Sequence, residues 1–146
     1  MRPIKNFKDY IQEDIVKKQS PDKSRSTSLI IESEKAEAFL KQIILKVGLN
    51  DENANTIITM AYDIIMKRIR SKMLLYGYNA SGQGAHEAEV AYLRELQFNE
   101  SDIQFCDQLR YFRNGIMYYG KSFNKEYAQK TIEFLNKIKN KLLEKQ

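Results

Sequence analysis

Between Arg110 and Tyr119 the chain reads RYFRNGIMYY, which sets two guanidinium groups, a carboxamide and several phenols within roughly three helical turns. Arginine presents a rigid fork of N–H donors that matches phosphate oxygens, with a charge it keeps at neutral pH. Asparagine adds a neutral donor and acceptor, and tyrosine a ring on which a base can stack. At ~100° per residue, Phe105, Leu109, Phe112, Ile116 and Tyr119 fall within roughly 80° of one another, which predicts the core stripe of a helix from Asp102 to Tyr119. Asp107, Arg110, Asn114 and Tyr118 then line the opposite side, flanked by Arg113 and Met117. Gly115 costs ~1 kcal/mol relative to alanine inside a helix, so it predicts the close approach of another backbone or of a ligand. The competing reading is an ordinary solvated face, with Asp107 paired to Arg110 at i,i+3.

Other groups could extend such a site. His86 stands in SGQGAHEAE, where a glycine-rich connector enters a helix whose first N–H groups can hold an anion. It can line the same cleft as Arg110 and Arg113, or simply pack at the helix start while Gly82 and Gly84 make the turn. The connector is not a phosphate-binding P-loop, because it lacks the Gly-Lys-Ser/Thr ending and follows a helix rather than a strand. Lys67, Arg68, Arg70 and Lys72 in KRIRSK form a second basic cluster, either a nucleic-acid contact or a solvated helix end near a favourable dipole. Tyr76, Tyr78 and Tyr111 can stack on bases or pack as ordinary amphipathic side chains. Cys106 has no base near it in sequence to make it a nucleophile. One cysteine and one histidine exclude a cysteine zinc site and leave almost no material for a histidine cluster, so neither a metal nor any other cofactor is expected.

The elements that must hold these residues are helices. Ile4, Phe7, Ile11 and Ile15 recur at helical spacing and predict a short amphipathic arm that docks on the body or on a partner. The polar QSPDKSRSTS that follows looks like a linker, which puts arm and linker at 1–26 and the compact domain at 27–146. Within that domain a helix over 29–47 shows Ile31, Ala38, Leu40, Ile43, Ile44 and Val47 on one broad face. Gly48 then stops it, and Asn50 or Asp51 caps the next run, 52–76, with Ile57, Ala61, Ile64, Ile65 and Leu75 toward the core. A short helix covers 86–97, Asn99 or Ser101 caps the fifth, and Asn124 caps a last one seamed by Ile132, Leu135, Ile138 and Leu142. The expected fold is all-α, an antiparallel up-and-down bundle of about five helices with short connections.

Composition agrees with that reading. The chain has 146 residues, enough for one ordinary domain, and only two prolines and six glycines, too few for a loop-rich β fold. Twenty-four Lys and Arg against 19 Asp and Glu give a formal charge of +5, which permits a polyanionic partner without requiring one. A lone cysteine, no membrane-length apolar run and no signal-like start lead to the expectation of a cytoplasmic protein with no membrane partner.

The segment LRYFRNGIMYYG, late in a helical bundle and followed by one long final helix, resembles the signature of the HEPN superfamily. That motif is an arginine followed by a polar residue, three variable residues and a histidine. Arg113 and Asn114 match its first two positions, and the histidine position falls on Tyr118. The resemblance extends from about residue 28 to 143 in the order and length of the helices. It implies a homodimer whose motifs meet at a composite cleft, and an RNA or nucleotide ligand. It also implies a place in a toxin–antitoxin or defence system, with a nucleotidyltransferase or antitoxin as partner. Many such proteins are metal-independent ribonucleases. Carried over, Arg113 would stabilise charge on the scissile phosphate, Asn114 would orient it, and the residue at 118 would handle the proton. Tyrosine ordinarily titrates near 10, so about one in a thousand is ionised at neutral pH, and it more readily donates a hydrogen bond or stacks. Three readings stay open: binding without cleavage, a ribonuclease in which Tyr118 or His86 replaces the histidine, and a protein-interaction module.

Overall fold

The computed structural model describes residues 3–144. Six helices and one small sheet follow in the order α1 (Phe7–Gln12), β1 (Val16–Lys18), α2 (Lys23–Val47), α3 (Ala54–Leu75), β2 (Tyr78–Ala80), α4 (Ala85–Glu95), α5 (Glu100–Tyr119) and α6 (Lys125–Glu144). This is the all-α bundle that the helical periodicity predicts. Its axis is α3. Ile57, Ile58, Ala61, Ile64, Ile65, Met66 and Ile69 are buried over more than half of that helix's circumference, and Thr56 and Asp63 mark its exposed side. The remaining long helices, α2, α4, α5 and α6, pack around it. No helix among the described residues is long and apolar enough to cross a membrane.

The helix ends follow from local chemistry. Asn99 Oδ1 accepts from the Asp102 N–H at 2.8 Å and Asn124 Oδ1 from the Tyr127 N–H at 3.0 Å, each satisfying a donor the first turn would leave orphaned. Gly48, at φ 84°, ends α2. Asn50 and Asn53 exchange side-chain to backbone bonds at 3.0 and 2.9 Å across the turn into α3.

The N-terminal helix docks on the body, one of the two placements expected of the arm, but the segment after it is not a linker. Ile4, Phe7, Tyr10 and Val16 are buried in the same core as α3 and α4. The Phe7 ring meets Tyr78 and Tyr92 edge-on, with centroids 5.2 and 4.8 Å apart. Val16, Lys17 and Lys18 pair antiparallel with Ala80, Asn79 and Tyr78. The expected boundary at 26/27 falls inside α2, which starts at Lys23 after its cap, Asp22. Serines that read as linker are small residues where two helices touch: Ser26 Oγ donates to the Ser71 carbonyl at 2.9 Å, and Ser71 Oγ returns a bond of 2.9 Å to the Ser26 carbonyl.

Helix α2 is also rotated from its expected register. Leu40 is buried, but Ile31, Ala38 and Val47 are exposed, and Ser33 and Glu37 face inward. Glu37 can be there because Arg68 of α3 binds it, Nη2 to Oε1, at 2.5 Å, a pairing between helices that periodicity along one helix cannot reveal.

Gly77 links α3 to β2 at φ 86°, where its carbonyl accepts the Gln19 N–H at 2.8 Å. A Cβ there would lie 2.5 Å from the Gln19 carbonyl oxygen. Gly77→Ala adds left-handed strain of ~1–2 kcal/mol to that overlap. A loss of at least ~2 kcal/mol is expected in urea unfolding, and an unchanged midpoint would contradict this tight crossing.

Candidate functional site

Helix α5 carries the motif, and its buried arc is wider than one stripe because α4 and α3 lie against one flank and α6 against the other. Leu109 is buried as expected, with Phe105, Phe112 and Ile116 partly so, but Tyr119 lies beyond the bundle and is 78% exposed. Asp107, expected on the outer ridge, is buried.

Arg110 and Arg113 therefore lean toward α3 and α4 rather than outward. Arg110 Nε donates to Asp107 Oδ1 at 2.9 Å, and its Nη2 lies 3.9 Å from Glu87 Oε1. Glu87 in turn accepts the Tyr10 hydroxyl at 2.8 Å, which ties the N-terminal helix to the same group. Burial pushes the Tyr10 hydroxyl up, and the bond to Glu87 adds to the shift. Arg113 lies with its guanidinium carbon 5.5 Å from the Tyr62 ring centroid and its Nη2 3.6 Å from Asp63 Oδ1. Its Nε is buried with no hydrogen-bond partner among the described residues.

His86 comes to the other side of Tyr62, ring centroids 6.4 Å apart, with its Nδ1 3.5 Å from Glu89 Oε1. Buried Glu89 is gripped by Arg70, whose Nε and Nη2 donate at 2.6 and 3.0 Å. This bidentate bond, against the cost of burial, raises Arg70 further above its ordinary range. His86, Arg110 and Arg113 thus border one polar patch around Tyr62. Its three arginines face four carboxylates, Asp63, Glu87, Glu89 and Asp107. The patch is close to neutral, and Arg110 is engaged within it.

Asn114 and Tyr118 lie on the opposite flank. With Tyr111, Phe112, Gly115, Tyr119, Lys121 and Phe123 they line a pocket of about 710 Å³. Phe112 and Phe123 stack at 4.6 Å to form its floor, while Tyr118 is 71% exposed. The neighbour of Gly115 is the Lys121 side chain rather than the expected backbone or ligand, and its Cγ would lie 3.2 Å from a Cβ at that position. Within a single chain the motif is divided: the arginines face α3 and α4, while the carboxamide and phenol face the pocket.

The second basic cluster separates. Arg68 is buried in its ion pair with Glu37 and cannot lie along a nucleic-acid backbone, which corrects its expected surface role. Arg70 is held by Glu89, and Lys67 is half-buried on α3. Cys106 is fully buried, and burial pushes its thiol up, followed by the nearby Asp107 charge, so it is no nucleophile. Sequence reasoning missed Tyr62, Asp63, Glu87 and Glu89. Only the i,i+3 spacing of His86 and Glu89 left a trace of them. Among the described residues no three of His, Cys, Asp and Glu converge as a metal set.

No protein family, curated protein or solved structure matches this chain.

Proposed function

We propose that this chain is a HEPN-like protein that binds RNA or a nucleotide at a cleft shared by two copies, in a toxin–antitoxin or related defence setting. The observation that carries this reading is the exposed aromatic end of α5: Tyr111, Met117, Tyr118 and Tyr119 stand in solvent around a pocket that holds Asn114 and Lys121. Exposed rings beside a carboxamide and an ammonium suit a stacked base and its phosphate. The same apolar surface suits burial against a twofold mate. Such a mate would bring the Tyr118 of one copy to the Arg113 of the other, joining what one chain keeps apart. Arg113, whose Nη2 makes only a long contact to Asp63, is the guanidinium of the pair left to meet phosphate. A partner protein such as a nucleotidyltransferase or antitoxin on the same aromatic end is the second reading, favoured by that exposure.

The test is binding of a labelled single-stranded RNA, followed by anisotropy, with product analysis in EDTA. Tyr118→Ala is expected to weaken binding by about 5- to 100-fold, a loss of ~1–3 kcal/mol of stacking. Arg113→Ala is expected to weaken binding and lower the salt slope by about one. Cleavage in EDTA that Arg113→Ala abolishes would make the protein a ribonuclease. No binding by the wild-type chain, or binding insensitive to salt, would leave the protein-partner reading.

A further inference from the structure

On the side of α3 away from that site, two cations one turn apart face a small cavity between α2, α3 and α6. Arg68 and Lys72 are both at least nine-tenths buried. Arg68 spends Nη2 on Glu37, but its Nη1 is buried without a partner among the described residues. Lys72 has neither an ion pair nor a hydrogen bond from its Nζ among them, and burial alone draws its ammonium below the usual lysine range. Lys139 of α6 stands nearby, its Nζ 3.6 Å from Glu37 Oε2.

The cavity these three line measures about 60 Å³. At ~10–15 Å³ per ordered water it holds about four waters, or one tetrahedral oxyanion. It adjoins a hollow of about 270 Å³ that shares Ile30, Glu34 and Lys72 and adds the hydroxyl-bearing Thr27. Its ionisable lining is the cations Arg68, Lys72 and Lys139 and the carboxylate Glu34, with Glu37 bound to Arg68 beside them, which is 3 − 2 = +1. Arg68 Nη1 is a buried cationic donor with no acceptor among the described residues, an arrangement that is costly for stability alone. That unpaired donor and the unpartnered Lys72 ammonium beside an oxyanion-sized space are accounted for if an anion sits there.

We propose that the cavity between α2, α3 and α6 is a binding site for a phosphate group, held by Arg68 Nη1, Lys72 Nζ and Lys139 Nζ. The group arrives either as free phosphate or as the end of a small phosphomonoester whose remainder lies in the adjoining hollow. A polymer backbone cannot enter a space this small.

The test is thermal unfolding with millimolar inorganic phosphate, or with adenosine monophosphate, against sodium chloride at matched ionic strength. Phosphate at several times its dissociation constant is expected to raise Tm by about 2–4 °C, while chloride does not. A larger shift with the nucleotide that Lys72→Met abolishes identifies the phosphomonoester as the source, and an equal or smaller one identifies the free anion. Lys72→Met is expected to melt no lower than wild type without phosphate and to lose the phosphate shift. Lys67→Gln, on the same helix but outside the cavity, is expected to keep it. Should Lys72→Met fail to fold, Lys139→Gln serves, with at least a threefold weaker phosphate affinity expected by calorimetric titration. A shift that chloride reproduces, or that Lys72→Met or Lys139→Gln retains in full, overturns the proposal.

Discussion

A chain that begins at Thr27 is expected not to fold. It lacks Ile4, Phe7, Tyr10 and Val16, all buried in the main core. Truncating one fully buried large side chain costs ~3–5 kcal/mol, against a total stability of ~5–15 kcal/mol for a domain of this kind. The cut also removes the strand paired to β2, the Asp22 cap of α2 and the Ser26 half of the serine pair with Ser71. It leaves Tyr78 and Tyr92 without the Phe7 ring that packs on them. Loss of cooperative urea unfolding and collapse of amide-proton dispersion are the expected readouts. Tyr10→Ala in the full chain is the milder counterpart. It is expected to cost ~3–5 kcal/mol because it also leaves Glu87 without the hydroxyl at 2.8 Å. A truncated chain that unfolds as cooperatively as the full one would make residues 3–22 an appendage after all.

Glu37→Ala is the second large effect. Its carboxylate is buried in α2 and serves Arg68 at 2.5 Å, Lys41 at 3.2 Å and Lys139 at 3.6 Å. Removing it strands a buried guanidinium, which costs ~3–5 kcal/mol where the partner cannot reach water. At ~2–4 °C per kcal/mol for a chain of this size, Tm should fall by roughly 10 °C. Replacing both partners, Glu37→Leu with Arg68→Met, is expected to be near neutral, since an apolar pair of similar volume escapes both desolvation penalties. The pair also sets an acid limit. Burial alone would raise the Glu37 carboxyl, but the Arg68 bond and the neighbouring ammonium groups outweigh it and hold the group below its ordinary value of 4.5. A depressed folded value means the contribution is complete above 4.5 and is lost as pH falls through the lower folded value. Wild-type stability should therefore fall more steeply below that pH than that of the double variant. Parallel pH profiles would show that folding does not lower the Glu37 carboxyl.

Helix positions were legible where a cap and a period agree. Asn99 and Asn124 mark the starts of α5 and α6, and Ile57, Ala61, Ile64 and Ile65 face inward along α3 as their spacing requires. Serine-rich residues 19–28 misled, because serine is common both in linkers and where helices touch closely. Helix α2 misled because its buried face carries a carboxylate whose partner lies on another helix.

By itself the sequence determined the all-α class, the order of the long helices and the placement of Arg110, Arg113, Asn114 and Tyr118 on one of them. Those follow from interactions a few residues apart, which capping groups and a 3.6-residue period record directly. Tertiary structure alone decided that Arg110 and Arg113 turn to Glu87 and Asp63. It also brought Arg68 and Lys72 to one cavity with Lys139. A charge finds its partner through space, in a low-dielectric interior where residues 23, 50 or 71 positions apart become neighbours. No local period encodes that meeting.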